Sequence, residues 1–404
     1  MPLELKLNTP EMLKDPYPTY TRLRRDSPVA IMQRPLLGKT WVLTRYEDVV
    51  NAFNDPRFAH NRRTVTNEPS ALDRWYVPKL IKAFQSNMLA SDPPDHRRLR
   101  NLVQKAFTPG RVEEIRDTVV RVVNELLDAA EKKERVDLIA DFALPLPLTI
   151  ISMMMGVPEE DRFKFHEWTA ELLDASTASP LKMMGQFANA YKLQRFFRKL
   201  IHTRRKQPSD DLLSALVQAE EQGDRLNEDE LVSMIFLILL AGHETTVNLI
   251  GNGVLALLQH PDQLQKLREN PDLIVPGVEE LLRYGNAVEQ SAVHFATEDI
   301  TLHGELIPRG GMVLLLISSA NRDERAFPDP DKLDLARTPN RHLGLGMGAH
   351  FCLGAPLARM EGRIGIQTLV NRFPKLRLAI PEEELQWRSS ITLRGLKELP
   401  VHLT

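Results

Sequence analysis

Residues 234–241, Met-Ile-Phe-Leu-Ile-Leu-Leu-Ala, are apolar on every side of the helix they would form. A surface helix keeps one polar face, so a segment without one is stable only when surrounded by other protein or by lipid. Asn227 supplies an N-cap, Glu230 sits three residues on as its reciprocal capping partner, and Pro261 stops the segment. At about 1.5 Å per residue this is roughly 50 Å of helix, enough to cross a whole protein. The rest of the fold must therefore be built around it.

The 404 residues can bury a large core and by length alone would admit two or three domains. Prolines are scattered between periodic segments, with no Gly/Ser tract, low-complexity block or repeat of fixed period. Residues 1–404 are accordingly expected to form one domain. A net charge of −2, with both signs interspersed, argues against a nucleic-acid binder. The longest charge-free stretch, 142–158, is interrupted by Pro145 and Pro147 and falls short of the about 20 apolar residues that span a membrane. The first 25 residues hold no apolar signal core. A monomeric cytoplasmic protein without a membrane span is expected, and a single cysteine suits a reducing compartment.

Helical periodicity dominates. Over 112–130, Ile115, Val119, Val122 and Leu126 fall on one stripe, with Glu113, Arg116, Asp117 and Arg121 elsewhere. A shorter helix is predicted over 275–284. Strand-like segments are 40–44, 300–307, 312–317 and 376–403, with turns at His303-Gly304 and 308–311. The fold class is mainly α with a minor β portion.

The central helix loses its apolar character at Gly242, His243, Glu244, Thr245 and Thr246. Glycine weakens a helix and a threonine hydroxyl can bond back one turn to Ala241, which predicts a local bulge with room for a cofactor. An acid beside an alcohol could relay protons there. His243-Glu244 also begins a zinc-protease pattern, but Val247 stands where the second histidine belongs. Cys352 is the chain's one cysteine, in the run Gly346-Met-Gly-Ala-His350-Phe-Cys352-Leu-Gly354. A lone thiol can be a small buried hydrophobe. In a glycine-punctuated loop leading into an apolar helix, it also suits one metal held by one thiolate, with glycine letting the backbone approach a flat cofactor. One thiol cannot build an iron–sulfur cluster. Residues 344–349 formally fit a dinucleotide fingerprint, but 338–343 do not resemble a core strand, so that reading is set aside. Glu280 and Arg283, three apart, and His96 and Arg100, four apart, each share a helix face.

Together and in this order these residues resemble the cytochrome P450 family of haem-thiolate monooxygenases, over essentially the whole chain. The resemblance implies that Cys352 is the axial ligand of a haem b iron, in a loop with Leu345, Gly346, His350 and Gly354. It makes 241–246 the oxygen-activation segment, with Ala241 and Gly242 against the cofactor, Glu244 the acid and Thr245 the alcohol. Glu280, Arg283 and Arg337 would form a structural ion network. His96, Arg100 and His350 would hold the haem propionates, with His294 where relatives usually carry an arginine. Leu345 replaces the usual phenylalanine seven residues before the cysteine, and Ala287 replaces a frequent proline.

By the same resemblance the thiolate favours O–O cleavage, Glu244 and Thr245 deliver protons, and one atom of O2 enters a C–H bond of a hydrophobic substrate. Fatty acyl, polyketide or terpenoid-like molecules, free or on a carrier protein, are the implied class. Electrons would come from a ferredoxin or flavodoxin with an NAD(P)H-dependent reductase, docking through Arg97, Arg98, Lys105, Arg359 and Arg363. Pocket walls are expected at 75–88, 172–187, 238–241, 288–293 and 390–392, with Met88, Leu173, Met184, Ile238, Val288, Ser291 and Ile391 singled out. A peroxide-driven peroxygenase and a non-catalytic haem sensor are the alternatives; the Glu244–Thr245 pair weighs against both.

Overall fold

The computed structural model describes residues 3–6, 9–34, 38–66, 87–173, 180–221 and 226–404, and within the described helices the side chains at 105, 106, 109, 166, 169–173, 180–188, 220 and 221 are outside the description. The side chains of the expected pocket residues Leu173 and Met184 and of Lys105 of the docking surface, and most of 75–88, therefore lie outside the description. The chain forms two compact units, Met1–Ala59 with Ile115–Leu146 and Thr245–Thr404, and His60–Glu114 with Pro147–Glu244.

The long helix runs from Glu228 to Gln259. Its capping box forms as the sequence predicts: the Glu230 amide donates to Asn227 Oδ1 at 2.9 Å, and the Asn227 amide to Glu230 Oε2 at 2.8 Å. Its length and composition would also suit a membrane span, but 67% of its most apolar window is buried inside the protein. The predicted bulge at 242–246 is absent, and the helix is α-helical throughout. The reason for Gly242 is instead packing: a Cβ there would lie 2.8 Å from Ile151 Cγ1 of the helix Pro145–Met154.

Among the described residues, the sheets lie in the unit containing the cysteine. Its main sheet joins Val29–Arg34, Gly38–Leu43, Met312–Leu315, His294–Ala296 and Phe58–Ala59 in that spatial order. Gly38–Leu43 pairs antiparallel with Val29–Arg34 and parallel with Met312–Leu315. Alternate residues enter two separate cores. Val29, Ile31, Trp41, Leu43, Val313 and Leu315 pack into one, while Ala30, Met32, Val42 and Leu314 pack into the other with Tyr20 and Leu23. Both faces are covered, so the strands read as apolar runs without alternation. The 300–307 segment is a hairpin, Ile300–Leu302 against Glu305–Ile307. His303 and Gly304 turn it with φ of 50° and 80°, the backbone signature of a type I′ turn. The helix predicted over 112–130 breaks at Ile115 into Pro109–Glu114 and Arg116–Ala130, and Leu127 rather than Leu126 is fully buried.

The described residues of the other unit are mainly helical: Asp95–Ala106, Glu159–Leu173, Pro180–Lys206, Leu212–Glu221 and the first half of the long helix. Arg98 ties the first of these to the long helix through Glu230 at 2.5 Å. Arg204 bonds both Asp211, the N-terminal anchor of Leu212–Glu221, and the Gly156 carbonyl.

Within the cysteine-bearing unit, the helix Ile274–Tyr284 organises the approach to residue 352. Glu280 and Arg283 are fully buried, and the Arg283 guanidinium forks onto the carboxylate with two bonds of 2.8 Å. Its remaining donors reach the carbonyls of Asn321, Pro330 and Lys332. Arg337 Nε adds a bond of 3.1 Å to Glu280, and Asn340 and the Asp334 amide complete the set. All three residues of the expected ion network thus meet on one carboxylate. Replacing Arg283 by Leu leaves that charge buried without its main partner. We expect a loss of about 3–5 kcal/mol in urea unfolding, against about 1–2 kcal/mol for Arg337→Leu, which keeps the fork.

Candidate active site

Thr245, His294, Leu345, Gly346, His350, Cys352 and Gly354 belong to one unit, and His96, Arg100, Ala241, Gly242 and Glu244 to the other. In the first, Cys352 stands just before the helix Ala355–Arg372. Gly346 and Gly348 take φ of 68° and 67°, the left-handed region that a side chain disfavours. That path returns the chain on itself, so the Cys352 amide donates to the Leu345 carbonyl at 2.9 Å and the Phe351 amide to Gly348 at 3.1 Å. Leu345 itself is buried. The thiol is half-exposed, and a Cβ on Gly354 would come within 4.0 Å of it. The first turn of a helix, with its unpaired amides, favours an anion beside it. Arg359, one turn into the same helix, adds a positive charge that couples to Cys352.

No group of three or more His, Cys, Asp or Glu able to hold a metal occurs among the described residues. One cysteine sulfur at the start of a helix fits a metal that brings its other ligands with it, as haem iron does. A Cβ on Gly348 would lie 3.1 Å from the Phe53 carbonyl, so that glycine lets the loop pack closely on its neighbour. These residues fit the group.

What holds this loop was not anticipated from the sequence. Glu279 accepts two bonds from Arg359, of 2.8 and 2.7 Å, and a third from His342 Nε2 at 3.1 Å. The Gly344 amide donates to His342 Nδ1, so the ring's own proton must lie on Nε2, toward the carboxylate. Arg363 approaches the same carboxylate at 3.7 Å. Two residues of the expected docking surface are thus engaged with Glu279, and Arg98 with Glu230; Arg97 is exposed. The adjacent Glu279-Glu280 pair, in the helix before the Cys loop, was the available signal. A second missed group is Glu361, fully buried in the cysteine helix, neither of whose oxygens has a hydrogen-bond partner among the described residues. Its neighbours Gly362 and Gly365 lie against Leu249, Leu146 and Phe142, and burial pushes the carboxyl well up.

His294 is buried on its strand with Phe53 edge-on to its ring and Ser291 Oγ 3.4 Å from Nδ1. Ser291 Oγ also accepts the Leu315 amide and donates to Ala292 O, so this expected pocket residue is committed to holding backbone. Val288 bridges Leu393, and Ile391 packs against the core formed by Tyr20 and Met32.

In the helical unit His96 and Arg100 sit one turn apart on Asp95–Ala106. Burial, and then the charge of Arg100, hold His96 below the usual imidazole range. Glu244 and His243 are both buried: His243 Nδ1 donates to the Leu239 carbonyl at 2.6 Å, and its Nε2 lies 3.5 Å from Glu244 Oε1. Ile238 is nearly buried and Met88 half-buried in a short 3₁₀ turn.

A family model described as Cytochrome P450 matches residues 37–392. The polyketide biosynthesis cytochrome P450 PksS of Bacillus subtilis is 43% identical over 397 residues, covering 98% of this chain and 97% of that protein. The cytochrome P450 monooxygenase PikC of Streptomyces venezuelae is 43% identical over 390 residues, 96% of this chain and 91% of its own. The crystal structure of P450BioI in complex with an acyl carrier protein ligated to hexadec-9Z-enoic acid superposes with a TM-score of 0.88 at 41% identity, covering 97% of this chain and 99% of that one.

Burial raises the Glu279 carboxyl, but the bonds and charges of His342 and Arg359 outweigh it and bring it down to about 2. A carboxylate depressed by folding adds stability above its unfolded value, near 4.5, and loses it as pH falls toward 2. Glu279→Gln should therefore be less stable than the parent by up to about 3 kcal/mol at pH 7. In urea titrations the gap should close steadily between pH 4.5 and pH 2.

Proposed function

The chain belongs to the cytochrome P450 family, and from that premise we propose that it hydroxylates long acyl chains presented on a carrier protein. As a family member it is a monooxygenase using haem b and O2. The bound haem supplies the oxygen-activation and transfer chemistry. What the chain adds is positioning. Cys352 offers a sulfur anion at a helix N-terminus, on a loop whose height is fixed by the Cys352–Leu345 backbone bond. This placement is the observation that carries the reading.

Glu244 and Thr245 are the acid and alcohol that we assign to proton delivery toward the bound oxygen. His243, locked on the Leu239 carbonyl, faces Glu244 with its second nitrogen and so limits how that carboxyl can turn. By family resemblance, His96, Arg100, His350 and His294 are assigned to the propionates. We read all 404 residues as one catalytic domain of a soluble cytoplasmic enzyme, supplied with electrons by a ferredoxin or flavodoxin and its reductase. Among the described side chains of the candidate docking set, Arg97 is exposed.

The acyl-chain assignment draws on two observations. The relatives include an enzyme named for polyketide biosynthesis and one crystallised with an acyl carrier protein. The segments assigned to the pocket are rich in Leu, Met and Ile, which suit an extended aliphatic guest.

The reduced, carbon-monoxide-treated protein should show the red-shifted thiolate Soret band, and Cys352→Ala should lack it. A parent protein without that band would defeat the haem-thiolate assignment. Hexadecanoyl carrier protein should shift the Soret band of the resting enzyme at about tenfold lower concentration than free hexadecanoate. Equal potency would leave the monooxygenase standing and remove the carrier.

A further inference from the structure

The helix Pro180–Lys206 holds 27 residues and not one acid. Its described side chains, from 189 onward, divide by face. Leu193, Phe197, Leu200 and Ile201 are buried and fasten one side to the protein. On the opposite side Lys192, Arg195, Lys199, His202 and Lys206 follow one another at spacings of three and four residues, and all five are exposed. They make a basic stripe about 21 Å long.

The basic residues around the stripe have acidic partners. Arg198, beside it, meets Glu228 at 3.1 Å and Asp229 at 3.2 Å, and Arg204, on the inner side, meets Asp211. Among the described residues, no carboxylate forms an ion pair with Lys192, Arg195, Lys199, His202 or Lys206. Cations near a helix C-terminus are favoured by the backbone dipole, but only within the last turn. That accounts for Lys206 and leaves Lys192, Arg195 and Lys199 unexplained. These three are like charges at three- and four-residue spacing, which weakens a helix. The helix Glu159–Leu173 of the same unit mixes its charges instead, pairing Lys164 with Asp161. A self-repelling stripe, in a chain whose net charge is −2, fits a surface neutralised from outside.

We propose that this stripe docks the carrier protein, with an acidic face of the carrier lying along it; this rests on the carrier reading above. A carrier holds its thioester arm through a phosphodiester, so an anion stands at the root of the arm that must enter the enzyme. The stripe begins at Lys192, about 8 Å along the axis past residue 187, where the segment expected to wall the pocket ends. An anionic membrane is the poorer match. A helix that lies on lipid inserts an apolar face, whereas Leu193, Phe197, Leu200 and Ile201 already face the protein.

Soret titrations of the resting, haem-loaded enzyme can compare hexadecanoyl carrier protein with hexadecanoyl-pantetheine, which has the thioester arm without the protein. The parent should bind the first at least about tenfold more tightly, and the advantage should shrink as the Debye length falls from about 10 Å at 0.1 M salt to about 3 Å at 1 M. Reversing the stripe with Lys192→Glu, Lys199→Glu and Lys206→Glu together should weaken the carrier alone and bring the two ligands within about twofold. Reversing three exposed charges outside that helix, Lys132→Glu, Arg135→Glu and Lys375→Glu, alters net charge equally and should preserve the advantage. A parent without the advantage would remove the carrier reading and the stripe with it. An advantage that survives stripe reversal, or that the control triple loses as well, would overturn the stripe and leave the carrier standing. Phosphatidylglycerol vesicles that retain the parent but not the stripe variant, with the carrier titration unmoved, would give the stripe to a membrane and overturn the proposal in the same way.

Discussion

Two adjacent carboxylates, Glu279 and Glu280, carry the cysteine-bearing unit. Successive residues on a helix point in different directions, and these two divide the work accordingly. Glu280 gathers Arg283, Arg337, Asn340 and the Asp334 amide, fixing the irregular chain of residues 328–340. Glu279 gathers His342 from the end of that chain and Arg359 from the helix after Cys352. The Leu343 amide, between them, is held by Asn321. The cysteine loop is thus suspended at both ends from one short helix. A buried ion pair returns little net stability, because its charges must be stripped of water first. What it imposes is geometry: the bidentate forks allow few arrangements, and a loop without regular structure acquires one shape. For a metal ligand that is the property that matters.

Local signals were legible in the sequence, and long-range ones were not. The capping box at Asn227 and Glu230 and the Pro261 stop depend on residues a few positions apart, and they appear where predicted. The strand Val29–Arg34 was missed because both faces of its sheet are buried, which erases the alternation that marks a half-exposed strand. The bulge at 242–246 was inferred from local chemistry alone. The helix stays regular there because Gly242 serves Ile151, a neighbour 91 positions away in sequence that no local rule could supply. Likewise the Glu280–Arg283 spacing was visible, but Arg359 meets Glu279 across 80 positions. Ser291 was placed in the pocket by its segment, while its hydroxyl is occupied with the Leu315 amide and Ala292 carbonyl. A polar side chain in a buried strand answers first to the backbone around it.

The fates of the acids show how environment rather than residue type assigns a role. Glu279 is held ionised far into acid by an arginine fork and a histidine. Glu361, fully buried with no partner among the described residues and with Leu249, Leu146 and Phe142 against its neighbouring glycines, is driven the other way by its burial. Glu289 is half satisfied, by Tyr20 on one oxygen only.

These three differ in what they leave for chemistry. A saturated carboxylate such as Glu279 can only hold structure, since every lone pair facing a donor is in use and moving it would break the cysteine loop. One pushed upward by burial, such as Glu361, resists ionising while its walls stay apolar, because a charge there would have no partner among the described residues. Only a carboxyl with spare capacity and a path to another molecule can bind or transfer anything. Glu289 keeps such capacity, with one oxygen held by Tyr20 and the other without a donor among the described residues. The same accounting of lone pairs therefore separates the groups that build this enzyme from the groups left free to meet another molecule.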